Sequence, residues 1–392
     1  MDYINNVCNI KVVGVGGAGN NAVNRMIEAG ITSAYFVAVN TDQQVLNMSK
    51  ADKTITIGKQ ITKGLGAGAK PEVGCMAAEE SEQEIRQMLE GSNLVFIACG
   101  LGGGTGTGAA PVIAKISKEM GILTIGVVTK PFAFEGAKRL ANAEQGLREL
   151  KKYVDTLVII PNDKLYQILR KDISLFDAFR YADDVLRQGV QGVSELIVKP
   201  SLINLDFADV STIMKDKGLA HMGIGRGRGE YKTMEAVRQA VTSQLLETSI
   251  EGATGILINI TGGRDLSLAE IYEAVDLVRN VVDKDCNIIF GATIDENLKN
   301  EVQVTVIATG FDADFRKEPE NEVSTLPDNN PINPVVAGDD EVGESQDLEQ
   351  PEYEDTDEDE DEEEQEVEDI SVNSNIDLGD TTIPPFLRKL KK

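Results

Sequence analysis

The chain has 392 residues, 41% of them hydrophobic, which is enough for two ordinary domains with a sizeable core and some further sequence. Its apolar runs are far shorter than the roughly 20 residues that a membrane-spanning helix needs, and the N-terminus lacks the basic-then-apolar pattern of a signal peptide. We therefore expect a cytosolic protein that does not insert into a membrane. The four cysteines are scattered without a CxxC pair, which favours buried free thiols over a metal site or a disulfide framework.

The acidity of the chain is concentrated in one segment. Residues 318–370 carry 24 Asp and Glu and no Lys or Arg, which accounts for most of the formal net charge of −27. The remaining sequence is nearly balanced and shows no basic face of the kind that nucleic-acid binding requires, so we expect no nucleic-acid partner. Residues 317–370 are also nearly free of aromatic side chains, which is typical of a self-repelling disordered linker.

Up to about residue 160, short β-rich runs alternate with helical patterns. Strands are predicted over 10–15, 35–39, 94–99, 122–128 and 156–160. Such alternation predicts a parallel sheet with helices on both faces.

A long helix is predicted next, over 174–198. Its apolar residues recur every three or four positions and form one continuous stripe. Ser174 can cap its start and Pro200 would end it. Beyond it, strands over 255–261, 286–293 and 302–309, with helices over 233–247 and 267–282, predict a second, smaller α/β unit.

Two glycine-rich segments follow predicted strands. The first matches GxGxxG at Gly14, Gly16 and Gly19, which is the fingerprint of dinucleotide-binding proteins but a weak signal by itself. The second, residues 102–108, has five glycines and two threonines and precedes a helix predicted over 109–120. Glycines let the backbone approach an anion and a helix N-terminus favours negative charge, so this run predicts a phosphate-binding loop. The chain contains neither GxxxxGKS nor GxxxxGKT, which excludes a P-loop.

The run GGGTGTG at 102–108 resembles the signature of the tubulin/FtsZ family. The resemblance extends over about residues 9–312 and resumes in the last residues of the chain, and it implies a tubulin-like α/β fold. The domains so implied are a GTP-binding domain with a parallel sheet (1–170), a long central connecting helix (171–200), a smaller α/β GTPase-activating domain (201–316), the disordered acidic linker (317–370) and a C-terminal partner-binding peptide (371–392).

The resemblance also implies which residues bind GTP or GDP. Residues 16–21 correspond to the first nucleotide loop of the family, 64–69 to the loop that closes over the terminal phosphate, and 102–108 to the signature itself. The ribose, phosphate and base contacts fall on single side chains further along. The nucleotide-binding residues implied in this way are Gly16, Gly17, Ala18, Gly19, Asn20, Asn21, Ala67, Gly68, Ala69, Gly103, Gly104, Thr105, Gly106, Thr107, Thr129, Glu135, Arg139, Asn162, Phe179 and Asp183.

By the same resemblance, hydrolysis is activated by a loop of sequence NxDxxD, whose catalytic residues are Asn204, Asp206 and Asp209. Two carboxylates three residues apart share one face of a helical turn, where they can orient a water molecule or hold a metal ion. The alternative is that one of them caps the helix that follows. Mg²⁺ is expected with a nucleoside triphosphate, although the sequence assigns it no ligands.

At the base end of the site, Asp183 can accept from both donors on the N1 and N2 edge of guanine, and Phe179, one turn earlier, can stack on the base. Without the resemblance, Phe179 also fits the apolar stripe of the long helix and Asp183 also fits a solvated helix charge. Arg139 can bind phosphate oxygens or be an ordinary surface cation, and Glu135 can accept from ribose hydroxyls or complement a helix N-terminus.

The chain departs from the family pattern at a few positions. Ala18 replaces a common glycine of the first loop, and the tail has one extra residue before Phe386. His221, Arg226 and Arg228 stand where neutral residues are usual, and we assign them no role.

Three functions are compatible with these features. The first, implied by the resemblance, is a GTPase that polymerises with itself into filaments forming the bacterial division ring, on the inner face of the membrane at mid-cell. The second is an NAD(P) oxidoreductase with Asp42 as ribose acceptor, which leaves the second glycine run and residues 204–209 unexplained. The third is a non-hydrolysing structural paralogue, against which the pair Asp206 and Asp209 argues.

The first function includes partners besides the chain itself. The end of the chain becomes apolar and basic after the acidic linker, and it resembles the family's peptide that binds membrane-tethering and regulatory division proteins. The residues of this peptide that we expect to contact partners are Ile383, Pro384, Phe386, Leu387 and Arg388.

Helix geometry predicts where hydrolysis takes place. From Asp183 to Val198 a helix rises about 22 Å, so Asp206 and Asp209 are expected at the pole opposite the nucleotide unless the chain folds straight back. Head-to-tail stacking would bring them to the nucleotide of the next subunit, and such a contact propagates into a filament.

Overall fold

The structure is a computed structural model that describes residues 8–168, 173–198, 206–242, 250, 252–282, 284–295 and 298–311. The described residues belong to a single compact unit. The predicted linker, the C-terminal peptide with its five partner-binding residues, and Asn204 lie outside the described residues.

The strands of the described chain form one continuous sheet. In chain order they are β1 (Ile10–Val15), β2 (Tyr35–Asn40), β3 (Lys53–Thr56), β4 (Leu94–Gly100), β5 (Leu123–Lys130), β6 (Thr156–Pro161), β7 (Gly218–Arg228), β8 (Gly255–Gly262), β9 (Asn287–Ile294) and β10 (Glu301–Thr309). All eight predicted strands are present with ends within two residues of the prediction, whereas β3 and β7 were not predicted.

The sheet has the order β3-β2-β1-β4-β5-β6-β7-β10-β8-β9. Its first six strands are parallel, and β7 continues them by pairing in parallel with the first three residues of β6. Further along, β10 lies antiparallel between β7 and β8, and β9 pairs in parallel with β8.

Helices cover this sheet. They are α1 (Gly16–Glu28), α2 (Gln43–Asn47), α3 (Lys59–Thr62), α4 (Pro71–Glu80), α5 (Glu82–Leu89), α6 (Thr105–Glu119), α7 (Ala137–Lys151), α8 (Asn162–Ile168), α9 (Leu175–Val198), α10 (Phe207–Met214), α11 (Lys232–Val241) and α12 (Leu268–Arg279). The predicted long helix is α9, and Ser174 accepts from the Asp177 N–H at its start (3.1 Å). No helix in the described ranges is long and apolar enough to cross a membrane.

The core follows from the alternation of side chains along each buried strand. In β1, Val12 packs with α1 and α9 on one face, whereas Val13 and Val15 pack with α5, α6 and α7 on the other. A further cluster joins α11 and α12 to β8 and β10. The prediction of helices on both faces of a parallel sheet, with a long helix leading to further α/β structure, is confirmed.

From Gly223 to Gly227 the strand β7 has a glycine at every second position, and α11 lies directly on that face. A Cβ atom added to Gly223, Gly225 or Gly227 would lie 1.8–1.9 Å from a backbone oxygen of α11. Only glycine therefore allows this approach. The neighbouring His221 is buried and packs edge-on against the Phe311 ring (4.6 Å between centroids).

The four cysteines form no disulfide. Cys99, in β4, is fully buried, and burial raises its pKa to about 12. The other three are half-buried.

Candidate functional site

Both glycine-rich segments lie where a parallel strand ends and a helix begins. The helix α1 starts at Gly16, directly after β1, and α6 starts at Thr105, inside the second glycine run and one turn earlier than predicted. The unpaired N–H groups of each first helical turn therefore belong to the glycine-rich segment itself. The two segments touch, because a Cβ on Gly16 would lie 2.8 Å from the Gly106 nitrogen.

Side chains beneath the glycine segments hold them in place. Thr107 is buried, and its hydroxyl accepts from the Gly102 N–H (2.8 Å). Asn20 is also buried and donates to the Gly14 carbonyl (2.8 Å). The Thr105 hydroxyl is within 2.7 Å of the Thr41 hydroxyl. Thr107 and Asn20, both predicted to bind nucleotide, thus have their side-chain groups engaged by the protein.

A cleft of about 280 Å³ opens at the carboxyl ends of the parallel strands. Sixteen residues line it, and twelve of them are among the twenty predicted nucleotide-binding residues. These twelve are Gly17, Ala18, Gly103, Gly104, Thr105, Gly106, Thr129, Glu135, Arg139, Asn162, Phe179 and Asp183. The unpredicted lining residues are Gly100, Leu101, Pro131 and Ala182.

The other predicted residues lie around the cleft. Gly16, Gly19, Asn20 and Thr107 form the layer beneath its glycine segments. Asn21 is exposed on α1. In the loop before α4, Ala67 is buried against Gly104, since a Cβ on Gly104 would lie 2.8 Å from the Ala67 Cβ, while Gly68 and Ala69 are exposed with positive φ.

At one end of the cleft, an aromatic ring and a carboxylate come from α9. The ring of Phe179 is 38% exposed and meets the buried Phe132 ring edge-on, with 5.4 Å between centroids. The Oδ2 atom of the buried Asp183 accepts from Arg25 Nε at 2.9 Å. Burial raises the pKa of Asp183, and the Arg25 guanidinium opposes that rise.

Arg25 was not predicted. It lies on α1, 158 residues before Asp183 in the chain, and the two meet because α1 packs against α9. No local sequence pattern predicts a contact between residues so far apart in the chain.

Asn162 lies in the wall of the cleft at the end of β6. It is 5% exposed, and its Oδ1 atom has no hydrogen-bond partner among the described residues. A buried acceptor of this kind is costly unless a ligand supplies a donor. Opposite charges meet nearby, where Arg139 pairs with Glu135, whose other oxygen accepts from the Phe132 N–H (2.9 Å).

The acidic pair Asp206 and Asp209 stands at the start of α10. Asp206 accepts from the Asp209 N–H (2.8 Å), and Asp209 accepts from the Asp206 N–H (3.3 Å), which makes the pair a reciprocal helix cap. Both residues are exposed, so the capping role leaves their outer oxygens accessible.

The helix α10 lies at the end of the sheet opposite the cleft. The Met214 carbonyl accepts from Thr156, the first residue of β6, and the Ile213 carbonyl accepts from Thr309 (2.9 Å). The cleft contains Asn162, directly after the last residue of β6. Six strand residues separate the two ends by about 17 Å.

Two further features bear on the alternatives. Asp42, the ribose acceptor of the oxidoreductase hypothesis, caps α2 by accepting from the Gln44 and Val45 N–H groups (2.9 and 3.4 Å). Within the described ranges, no three His, Cys, Asp or Glu side chains cluster as a metal-ligand set.

Comparison with known proteins places this site in a family. Residues 9–170 match the Tubulin/FtsZ family, GTPase domain, and residues 218–312 match the FtsZ family, C-terminal domain. An FtsZ from M. jannaschii, solved as an empty dimer, is 52% identical over 77% of this chain and 88% of that chain, with a TM-score of 0.75. A tryptophan-to-tyrosine mutant of FtsZ from M. jannaschii gives the same identity and TM-score over 91% of that chain.

A more distant protein shares the fold. CetZ2 from Haloferax volcanii, solved as a GTPγS-bound protofilament, is 22% identical over 76% of this chain and 92% of that chain, with a TM-score of 0.67.

The two-sided parallel sheet, the paired glycine segments and the matched GTPase domain define a tubulin-like GTPase that binds GTP. Within that class, the chain belongs to the FtsZ family of cell-division proteins. This confirms the resemblance and the GTPase activity, and it excludes the oxidoreductase.

Proposed function

We propose that this chain polymerises with copies of itself, head to tail, and that GTP bound to one subunit is hydrolysed with the help of Asp206 and Asp209 of the next. The observation that carries the proposal is that the cleft and the helix α10, which begins with the acidic pair, lie at opposite ends of one sheet. Carboxylates at the far end cannot reach the cleft of their own subunit. Stacking brings them to the next cleft, and such a contact propagates because it does not close on itself.

The relatives support self-association. The FtsZ of M. jannaschii was solved as a dimer, and the CetZ2 of Haloferax volcanii as a protofilament. In the proposal, the exposed oxygens of Asp206 and Asp209 orient the attacking water, and Asn204 assists them.

In this proposal, different residues of the cleft contact different parts of the nucleotide. The N–H groups of residues 16–19 and 103–107 face the phosphates, with residues 67–69 closing over the terminal one. Phe179 stacks on the base, Asp183 accepts from its edge, and Asn162 takes a donor from the sugar or base. Glu135 and Arg139 contact ribose and phosphate, while Thr107 and Asn20 support the glycine segments from behind.

Mg²⁺ accompanies the nucleotide in this proposal. The described residues offer no cluster of acidic ligands near the cleft, which fits an ion held chiefly by phosphate oxygens and water. Its chemistry would be to neutralise charge on the phosphates.

The filaments are proposed to form the division ring of a bacterial cell, in the cytoplasm at mid-cell. Residues 317–370 act as the spacer, and the peptide with Ile383, Pro384, Phe386, Leu387 and Arg388 binds membrane-tethering and regulatory proteins. Its apolar side chains supply anchors, and the basic residues after them supply charge.

The test uses Asp209→Asn, which keeps an acceptor for the Asp206 N–H and so preserves the helix cap. GTP affinity and sedimentable assembly should stay at wild-type levels, while phosphate release falls about a hundredfold. Glu230→Gln, an exposed carboxylate outside both proposed surfaces, is the matched control and should hydrolyse normally.

A dilution series completes the test. Wild-type phosphate release per subunit should collapse below the concentration at which light scattering reports assembly. If diluted subunits hydrolyse GTP as fast as assembled ones, the shared site is wrong.

A further inference from the structure

The ion pair between Arg25 and Asp183 is the one feature of the base end that the sequence did not predict. The pair joins α1 to α9 through Nε and Oδ2 (2.9 Å), and both side chains are largely buried, at 24% and 12% exposure. Asp183 lines the cleft, whereas Arg25 lines a separate groove between α1 and α9. Arg25 therefore supports Asp183 from behind.

The protonation state of Asp183 decides which base it can pair with. An ionised carboxylate only accepts, and the N1 and N2 edge of guanine only donates. A neutral carboxylic acid donates through one oxygen and accepts through the other. Adenine seated in the same way presents an acceptor at N1, which repels an ionised carboxylate and can accept only from the neutral acid.

Burial alone favours the neutral form of this side chain. It raises the pKa of Asp183, and the neighbouring Asp184 adds to the rise, while Arg25 counteracts both. Arg25 thus supplies the positive charge that favours the ionised form.

The other charged groups around Asp183 are engaged elsewhere. Arg139 and Glu135, which also line the cleft, pair with each other. On the elements packed against α9, Lys130 of β5 pairs with Glu144 (2.7 Å), and Asp163 of α8 accepts from the Ala133 N–H (3.0 Å). On α9 itself, Asp184 pairs with Arg187 (2.6 Å).

We infer that Arg25 is a specificity-determining residue: it holds Asp183 ionised and oriented, so that the cleft accepts guanine and rejects adenine. Arg25 does not touch the base in this scheme and acts through Asp183. The inference rests on the proposed role of Asp183 at the base edge, and it adds to that role the device that keeps the carboxylate charged.

The experiment measures the GDP and ADP affinities of the full chain from pH 8 down to about pH 5, so that the effect of protonating a carboxylate can be followed. In the wild type, GDP affinity should be constant near neutral pH and fall on acidification, because protonation removes an acceptor. In Arg25→Gln the fall should begin at higher pH, since the counter-charge is gone. At neutral pH this variant should lose about tenfold of its preference for GDP over ADP.

Two variants separate a charge effect from a loss of structure. Arg25→Lys keeps the cation and should restore most of the wild-type pH profile. Arg86→Gln breaks an exposed Arg–Glu pair on α5, away from the cleft, and should leave both profiles unchanged.

A third variant separates this inference from the proposed site. Asp183→Asn replaces the acid by a neutral amide and should lose GDP affinity at every pH. If it binds GDP normally, Asp183 is not the base contact and the proposed site fails. If it loses affinity while Arg25→Gln keeps the wild-type pH profile and GDP preference, the role of Arg25 is overturned and the site stands.

Discussion

Asn162 combines deep burial with an unpartnered side-chain oxygen in the wall of the cleft. No described residue donates to this oxygen, so a ligand that donates to it would compensate the cost of its desolvation. Asn259, in β8 and away from the cleft, has the same burial and an equally unpartnered Oδ1. The two residues therefore form a natural experimental pair.

We predict that Asn162→Leu weakens GDP binding about tenfold, because one hydrogen bond to a buried acceptor is lost. The free energy of unfolding without nucleotide should stay equal or rise, since an unpartnered polar group is replaced by an apolar one of similar size. Calorimetric titration and urea unfolding measure the two quantities. Asn259→Leu should match the stability result and leave GDP binding unchanged, and equal loss of binding in both variants would refute a local role for Asn162.

At the scale of secondary structure, the contact between β7 and α11 leaves no room for a side chain on β7. A Cβ at Gly225 would lie 1.9 Å from the Ala236 backbone oxygen, which cannot move without displacing the helix. Gly189, in α9, contrasts with it, because a Cβ there would meet the flexible Met222 thioether at 3.2 Å.

Gly225→Ala should therefore lower the free energy of unfolding by about 3 kcal/mol or more, as overpacking against backbone does. Gly189→Ala should be neutral or stabilising, because alanine favours a helix interior by up to about 1 kcal/mol over glycine. Urea unfolding of both variants gives the comparison. A Gly225→Ala protein as stable as the wild type would mean that α11 is not seated on β7.

The same contact shows why some elements could not be predicted. Period-two glycines in β7 carry no hydrophobic signal, although they are what lets α11 approach, so the strand was missed. The strand β3 has four residues and borders the sheet, which leaves too few positions for a pattern. Strands such as β4, buried on both faces, appear as unbroken apolar runs and were predicted closely.

The candidate site also has parts that the sequence predicted and parts that it did not. Glycine segments at strand ends are local signals, and they led to the cleft. The helix dipole at α6 was also predicted, although α6 begins one turn earlier, inside the glycine run. Contacts between distant segments, such as Arg25 with Asp183 or Thr41 with Thr105, depend on how α1, α6 and α9 pack and leave no trace in local sequence.

For the whole molecule, the decisive arrangement is that the cleft and α10, the helix that begins with the acidic pair, lie at opposite ends of one sheet. If the hydrolytic site is shared between subunits, two variants damaged at opposite ends can complement each other. A site within one subunit does not allow such complementation. Asp183→Ala damages only the cleft end, and Asp209→Asn damages only the α10 end. In a mixed filament, some contacts join the intact cleft of one variant to the intact acidic pair of the other.

We predict that neither variant alone hydrolyses GTP at a useful rate, whereas an equal mixture recovers about one quarter of the wild-type rate per subunit, since about one contact in four joins two intact halves. Phosphate release at concentrations that support assembly measures this. A mixture of Asp183→Ala with Asn162→Leu is the control, because both changes lie at the cleft and mixing creates no contact better than those in Asn162→Leu alone. That mixture should release phosphate no faster than the average of its components. If the mixture with Asp209→Asn also shows no recovery while both proteins co-sediment, hydrolysis takes place within one subunit and the head-to-tail mechanism must be abandoned.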